Sequence, residues 1–412
     1  MSFVTVKDSE QKLSAVSGAD ISNRPRAARV WLLTNAPSPY QSELFSAISQ
    51  RDDVELEVRF MLAGSPAGRA ASRHYRSIVM RSLFPRFLRE ELHFHPRAVW
   101  ESAFASHDLF VLSGLYTSLT FLACTFILRL QGKPWVVWFE RPHPGRNKFA
   151  RWSLKSVIQN PMRILFHGIH QGILRSASRV LCIGSAALDA YKSMGVPTQR
   201  LDMLPYCCDL DRYREVPATE IESVRERHCL SGQTVFLFSG QMIDRKGVDT
   251  ALDAFASIAN ERRDIALILL GNGPLRSQYE ASVPQSLRSQ VHFVGHVPQS
   301  ELPAYFLAAD VFVFPSRHDG WGVVVNEACA ARLPVITTRQ TGAAYDLVID
   351  GQNGFILDCD DMAGFASAMQ HFLDHPEDRA TFGKRSRERV ELFSPSIGAE
   401  RFLASVSKAT QL

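Results

Sequence analysis

The stretch Pro315–Ile336, PSRHDGWGVVVNEACAARLPVI, decides how the chain folds. It reads as the end of a strand, a polar loop, a Gly-Trp-Gly turn, a helix over Val323–Ala331 and a new strand at Val335. Short apolar strands separated by single helices belong to parallel sheets covered on both faces. Gly320 and Gly322 let backbone approach a ligand, and the helix after them turns its free N–H groups the same way, which makes an anion site. Asp319 stands in the loop and Glu327 just over one turn into the helix, so both carboxylates face one cleft. A carboxylate accepts from two adjacent hydroxyls, and ribose offers such a diol.

Working outward, the same alternation fills the second half. Apolar runs at Val235–Phe238, Ile265–Leu270, Val291–Val294, Val311–Phe314, Val335–Thr337 and Phe355–Leu357 predict strands. Helices are expected over Val248–Asn260, Leu275–Val283, Ser300–Ala308 and Ala344–Ile349, besides the one already named. The first half repeats the pattern less cleanly, with strands at Val30–Thr34, Val54–Met61, Leu109–Leu112, Trp135–Trp138 and Val180–Ile183. Residues 64–106 are rich in Arg and hold no strong strand, so helices and a loop are expected there. Leu109–Leu128 is uncharged and long enough to span a bilayer, but Ser113-Gly114 divides it. A strand, a glycine turn and a helix account for every piece. The expectation is an α/β chain of two Rossmann-like doubly wound domains facing a cleft. Its parts are a mobile tail (1–28), a first domain (29–205), a connection (206–232), a second domain (233–390) and a C-terminal helical segment (391–412).

Composition supports a globular reading. Hydrophobic residues make up 46% of 412 and charged ones 21%, which excludes a disordered, collagenous or disulfide-stapled chain. The tail has no apolar run of signal-peptide length. Seven cysteines without a CxxC spacing read as reduced thiols of a cytoplasmic protein, with adjacent Cys207-Cys208 as a redox pair the other reading. The net charge of +4 hides an asymmetry: residues 1–215 hold 28 Lys/Arg against 18 Asp/Glu, and the rest 18 against 24. Arg141–Leu188 contains no acid at all. A basic first half suggests phosphate groups or an anionic lipid surface as partner, and no nucleic acid is called for.

Two further loops carry chemistry. Ser239–Gly247, SGQMIDRKG, follows the first strand of the second half, with Arg245 and Lys246 just before a helix. Cations beside a helix N-terminus oppose its dipole unless they share an anion there. Thr341-Gly342-Ala343-Ala344 again precedes a helix and offers backbone N–H groups.

This ordered set resembles the donor-binding domain of the GT-B glycosyltransferases, in particular retaining family 4, the group 1 type. The resemblance covers most of Arg179–Ser394 through IGSAALDAYKSMGV, LPYCCDLDRY, FSGQMIDRKGVD, LLGNGP, FVGHVP, AADVFVFPS, the Asp319/Glu327 pair and DGQNGFIL. It implies a GT-B fold and a nucleotide-diphospho-sugar co-substrate, with no cofactor and no obligatory metal. By position it implies that Glu327 holds the ribose and Lys246 the diphosphate. Asp319 with Gly320, Trp321 and Gly322 would meet the donor sugar and phosphate, with Gly342 beside them. The family's catalytic-site histidine falls nearest to His143, in Glu140-Arg141-Pro142-His143. This chain departs from the pattern at Asp319, where the family has Glu, and at Gln241, where it has Arg; Arg245 is the residue placed to compensate. Asn35-Ala36-Pro37-Ser38-Pro39-Tyr40 replaces the Gly-rich loop after strand one, and a related PSPY opening occurs in some members.

The function expected is transfer of a hexose from a UDP- or GDP-sugar to a glycan or lipid-linked acceptor, with retention, in polysaccharide biosynthesis. The alternatives are a nucleotide-sugar-binding subunit that has lost catalysis and a sugar-nucleotide epimerase on the same fold. The basic first domain is expected either to dock on the inner face of a membrane or to hold an anionic acceptor, with Arg69, Arg73, Arg76, Arg81, Arg86 and Arg89 interleaved with Phe84, Phe87 and Leu88.

Overall fold

A computed structural model describes residues 26–64, 74–83, 93–142, 161–259 and 262–410. The first domain is a seven-stranded sheet of β1 (Ala28–Thr34), β2 (Val54–Phe60), β3 (Arg76–Val79), β4 (Leu109–Ser113), β5 (Trp135–Phe139), β6 (Arg179–Cys182) and β7 (Leu201–Met203). The second is a six-stranded sheet of β8 (Thr234–Ser239), β9 (Ile265–Leu270), β10 (Val291–Gly295), β11 (Val311–Phe314), β12 (Val335–Thr338) and β13 (Gly354–Leu357). Their orders are β3-β2-β1-β4-β5-β6-β7 and β10-β9-β8-β11-β12-β13. Every pairing is parallel. Both sheets thus reverse direction next to their first strand, between β1 and β4 and between β8 and β11. Such switch points open crevices at the carboxyl ends of the strands.

Burial explains why the second sheet reads so clearly. All six residues of β9, IALILL, are buried, because helices cover both faces. In the first sheet β3 is exposed at both ends, and its sequence RSIV carries little apolar signal. The expectation of no strand within 64–106 is therefore corrected: an edge strand needs only one covered face, so its pattern is faint. β7 is three residues long and too short to stand out. The stretch 206–232 holds a 3-10 turn at Asp211–Tyr213 and a helix at Ala218–Arg227. That helix packs against Leu302–Leu307 of the second domain, and Arg225 donates to the Gln233 carbonyl at 2.9 Å.

The uncharged stretch at 109–128 is β4 followed by the helix Leu119–Leu130. Among the described residues no helix is long and apolar enough to cross a membrane. The helix packs Phe121, Cys124 and Leu128 inward and leaves Phe126 67% and Leu130 75% exposed. Apart from Arg129 it carries no charge, which is why the sequence alone admits a membrane reading. The last helix, Pro395–Thr410, returns to the first domain and packs on Pro39–Ser49. One apolar core consequently runs from the first sheet through Leu204–Leu210 into the second.

Candidate active site

The loops after β8 and β11 flank the second domain's switch point and meet there. Lys246 lies in a 3-10 turn, Asp244–Lys246, and its ammonium pairs with the Asp319 carboxylate. The same ammonium stands 5.0 Å from the centre of the Phe314 ring. Arg245 donates to the His318 carbonyl at 2.6 Å and lies 3.9 Å from Asp319. Arg317 braces the loop by holding Asp249 and Asp360, each at 2.6 Å. Gly322 has φ +89, a left-handed turn that glycine adopts without strain. The N–H groups of Gly320 to Val324 carry no backbone hydrogen bond among the described residues, and the helix after them, Val324–Ala330, is seven residues long.

The Thr341–Ala344 loop behaves differently from expectation. Gly342 N–H donates to the Asp319 carbonyl at 3.1 Å and Ala343 N–H to the Trp321 carbonyl at 2.7 Å. Thr341 and Ala344 N–H are likewise bonded, to Thr338 and Thr341 carbonyls. These donors fasten the Asp319–Trp321 loop and are not on offer to a ligand. Trp321 is 1% exposed, and its indole N–H donates to Asn326 at 2.8 Å. Its ring fills the interior, so only its backbone faces the loop. His143 lies outside the described residues.

Beside this cluster is a cavity of about 490 Å³ lined by both domains. The second domain supplies Gln241, Asn272, His296, Gln299 and Glu327, and Pro39, Tyr40 and Glu43 come from the first. Glu327 is 7% exposed, and burial pushes its carboxyl up to about 7. Glu43 pairs with Arg212 and accepts the Asp209 N–H at 2.7 Å. Burial raises its carboxyl to about 7 as well, against the pull of Arg212. Arg212 therefore pairs with Glu43 and Asp209, and its charge also reaches Glu327 of the second domain.

A second carboxylate of the first domain was quoted in the sequence without a role. Glu140 follows β5 and lies against Gly320, where a Cβ would stand 2.0 Å from its Oε2. It is open to solvent along the cleft, yet ringed by protein. That enclosure first, and then the charge of Asp319, raise its carboxyl above the usual range; bonding to Tyr206 and the charges of Arg245 and Lys246 oppose the rise. Tyr206 packs against Tyr40 at a tilt of 54°, with ring centres 4.5 Å apart. The backbone carbonyl of Glu140 accepts from the Tyr191 hydroxyl at 2.9 Å. Its position at a strand's carboxyl end was the available signal.

The sites named from sequence thus fall in two neighbouring lobes. Gln241 and Glu327 share the cavity; Arg245, Lys246, Asp319 and Gly320 share the adjoining cluster. Glu43, Glu140, Tyr206 and Arg212 complete them and were not singled out. The seven cysteines are all free. Burial pushes the Cys207 thiol up to about 12 and raises Cys208 well above its usual range, so both are unreactive thiols in their present setting.

Comparison with known proteins matches this architecture. Residues 220–389 match the family described as Glycosyl transferases group 1. A GDP-mannose-dependent alpha-(1-6)-phosphatidylinositol monomannoside mannosyltransferase of Mycolicibacterium smegmatis is 28% identical over 244 residues, 57% of this chain and 61% of that protein. A 2-deoxystreptamine glucosyltransferase of Streptomyces kanamyceticus is 28% identical over 62% of this chain and 65% of its own. The chain therefore spans about six-tenths of the length of these curated relatives. The whole fold is shared with Anabaena HepE, solved with UDP, at a TM-score of 0.71 and 17% identity, covering 92% of this chain and 99% of that one. WaaG, a glycosyltransferase involved in lipopolysaccharide biosynthesis, superposes with a TM-score of 0.65 at 17% identity over 90% and 98%. The fold is GT-B.

Proposed function

We propose that this group 1 chain is a retaining glycosyltransferase that moves a hexose from a UDP- or GDP-sugar to a glycan or lipid-linked acceptor in polysaccharide biosynthesis. The observation that carries the reading is the adjacency of the two lobes. A cavity with a buried carboxylate, Glu327, suits a nucleoside with its ribose diol. Next to it Lys246 and Arg245 stand where a diphosphate would follow, and Asp319 where hydroxyls of a sugar would follow. Lys246 would meet the negative charge that grows on the leaving diphosphate. Closure would exclude water, whose attack on the donor competes with transfer. The reading includes turnover without a divalent ion.

Thermal shift with UDP, GDP and ADP is the first test, because a bound nucleotide stabilises by mass action. Release of nucleoside diphosphate from UDP-glucose and GDP-mannose, with cell membranes as acceptor and with or without EDTA, is the second. Stabilisation by none of the three nucleotides would sink the reading. Loss of release with EDTA would remove its metal-free part. A second reading has one observation in its favour: Asp319 already occupies Lys246, and Gln241 brings no charge to help. A binding subunit would keep the thermal shift and release no diphosphate.

The location proposed is cytoplasmic, with the first domain resting on an anionic membrane. Trp100 and Phe104 are 62% and 71% exposed on the helix Pro96–Phe104, which packs beside Leu119–Leu130 with its bare Phe126 and Leu130. The Lys133 ammonium bonds the Ser102 and Ala103 carbonyls, which brings the carboxyl ends of both helices together. Arg97, which pairs with Glu101 at 2.8 Å, and Arg129 belong to the same two helices, and aromatic side chains with nearby cations suit an anionic interface.

A further inference from the structure

We propose that the side-chain amide of Asn272 selects the nucleobase of the donor. It takes bases that present a keto oxygen, uracil or guanine, and rejects those that present an amino group, cytosine or adenine. The role rests on the reading of the cavity as a nucleotide site. Asn272 stands in the loop after β9, within LLGNGP, and lines the cavity beside His296, Val297 and Gln299 of the loop after β10. The sheet order places β9 and β10 one and two positions out from β8, on the side away from β11. At about 4.8 Å between strands, these loops start roughly 5 to 10 Å from the switch point. A nucleoside whose diphosphate reaches Lys246 carries its base toward them. Leu270, Val297 and Leu302 line the same end and offer apolar walls to a flat ring.

The orientation of the amide follows from its partner. Arg276, the first residue of the helix Arg276–Ser282, donates through Nη1 to Asn272 Oδ1 at 2.7 Å. A guanidinium only donates, so the amide must turn its oxygen that way. Arg276 is itself held at two further points, Nε on Glu280 at 2.7 Å and Nη2 on the Phe293 carbonyl at 2.9 Å. The Asn272 nitrogen has no partner among the described residues and is left to the cavity. The backbone is fixed as firmly. Met242 N–H donates to the Asn272 carbonyl at 3.0 Å, and Gly271 N–H to the Gly295 carbonyl at 2.7 Å. A Cβ on Gly271 would stand 2.0 Å from the Gly240 carbonyl oxygen, and one on Gly273 2.3 Å from that of Met242. Only glycine fits on either side of Asn272, so its loop is wedged between the loops after β8 and β10. Gln299, the other amide at this end, bonds Glu327, and His296 is exposed. A donor held in this way meets O4 of uracil or O6 of guanine, and opposes the amino group of cytosine or adenine.

The test uses the full chain and calorimetric titration with two matched pairs, UDP against CDP and inosine diphosphate against ADP. Within each pair a keto oxygen is exchanged for an amino group. The keto member should bind roughly tenfold more tightly, the effect of leaving a donor opposed and unpaired. Asn272→Asp keeps one oxygen on Arg276 and presents the other to the base, so CDP and ADP should become the preferred members. Its added charge weakens all four nucleotides alike and cancels in each ratio. Asn272→Ala should bring both ratios to within about twofold of one. Arg276→Met should do the same although Asn272 remains, because a released amide turns either atom to the base. A part in packing alone would leave the ratios where they are. Unchanged melting temperatures without nucleotide show that the variants fold. Wild-type ratios within about twofold of one overturn the proposal, as does an Asn272→Asp chain that keeps the wild-type preference. Binding of none of the four nucleotides overturns the nucleotide reading of the cavity and the proposal with it, before any substitution is made.

Discussion

The two lobes of the cleft hold the same kinds of group in opposite balance. In the cavity lobe Glu43 and Glu327 share one cation among the described residues, Arg212, and both carboxyls are raised to about 7. In the neighbouring lobe Lys246 and Arg245 gather on Asp319, with Glu140 across the gap. One lobe is short of positive charge and makes up the difference with protons. The other has its cations already covered. In the proposed reading a ribose would enter against Glu327, whereas a diphosphate would enter by displacing Asp319 from Lys246.

Lys246→Ala should break this comparison hardest. Removing one preorganised charge from a developing anion costs roughly 100-fold in rate. Turnover should fall by that factor while binding of the nucleoside alone stays near wild type, as read by steady-state kinetics beside calorimetry. If turnover survives within about threefold, under 1 kcal/mol of barrier, the diphosphate belongs to Arg245. Glu327→Ala should act on the other lobe and in the other quantity. Affinity for UDP or GDP should drop roughly tenfold, about 1.4 kcal/mol, in the range for hydrogen bonds to a charged group. Unchanged affinity would remove the ribose assignment.

The difference between the lobes also bears on what a sequence can disclose. The loops after β8 and β11 were legible because their residues are contiguous and follow strands buried on both faces. Lys246, Asp319 and Glu327 each stand inside a motif. Glu43 stands in none, and Glu140 and Arg212 lie in stretches that gave them no role, since each reaches the cleft from a different element. Their partners lie far along the chain: Arg212 meets Glu43 across 169 positions, and Glu140 meets Gly320 only because two domains close on each other. The edge strand β3 was hidden for a different reason, being short and exposed. The Thr341–Ala344 loop misled because a helix start suggests open donors, while tertiary packing had already used them.

Acidity sharpens the contrast further. Burial lifts the Glu327 carboxyl from 4.5 to about 7, and it lifts Glu43 from the same 4.5 to about 7. Between those values the folded chain binds more protons than the unfolded one. The pair's stabilising contribution is therefore present in acid and is lost as pH rises through about 7. The melting temperature of a Glu43→Gln/Glu327→Gln chain should fall less between pH 5.5 and roughly pH 8 than that of wild type. Nucleotide affinity should move the opposite way, rising severalfold over the same span, since the ionised carboxylate is the better acceptor for a diol. Parallel curves for wild type and double variant would show that these carboxyls do not titrate there.

Asp319→Asn is expected to have the smallest effect on binding, and in an unusual direction. The asparagine keeps the shape and can still bond a hydroxyl, but it no longer neutralises Lys246, whose ammonium it contacts now. A diphosphate would then meet a free cation rather than an occupied one. Both side chains of the pair are mostly buried, and freeing the ammonium from its partner should let UDP or GDP bind about three- to fivefold more tightly, about 1 kcal/mol or less. Transfer should fall all the same, because Asp319 is the carboxylate facing the donor sugar in this reading. Tighter nucleotide with slower transfer would separate the two tasks of one residue. Weaker nucleotide binding would mean that the Asp319–Lys246 pair helps to build the diphosphate site, and the exchange picture of the second lobe would have to be abandoned.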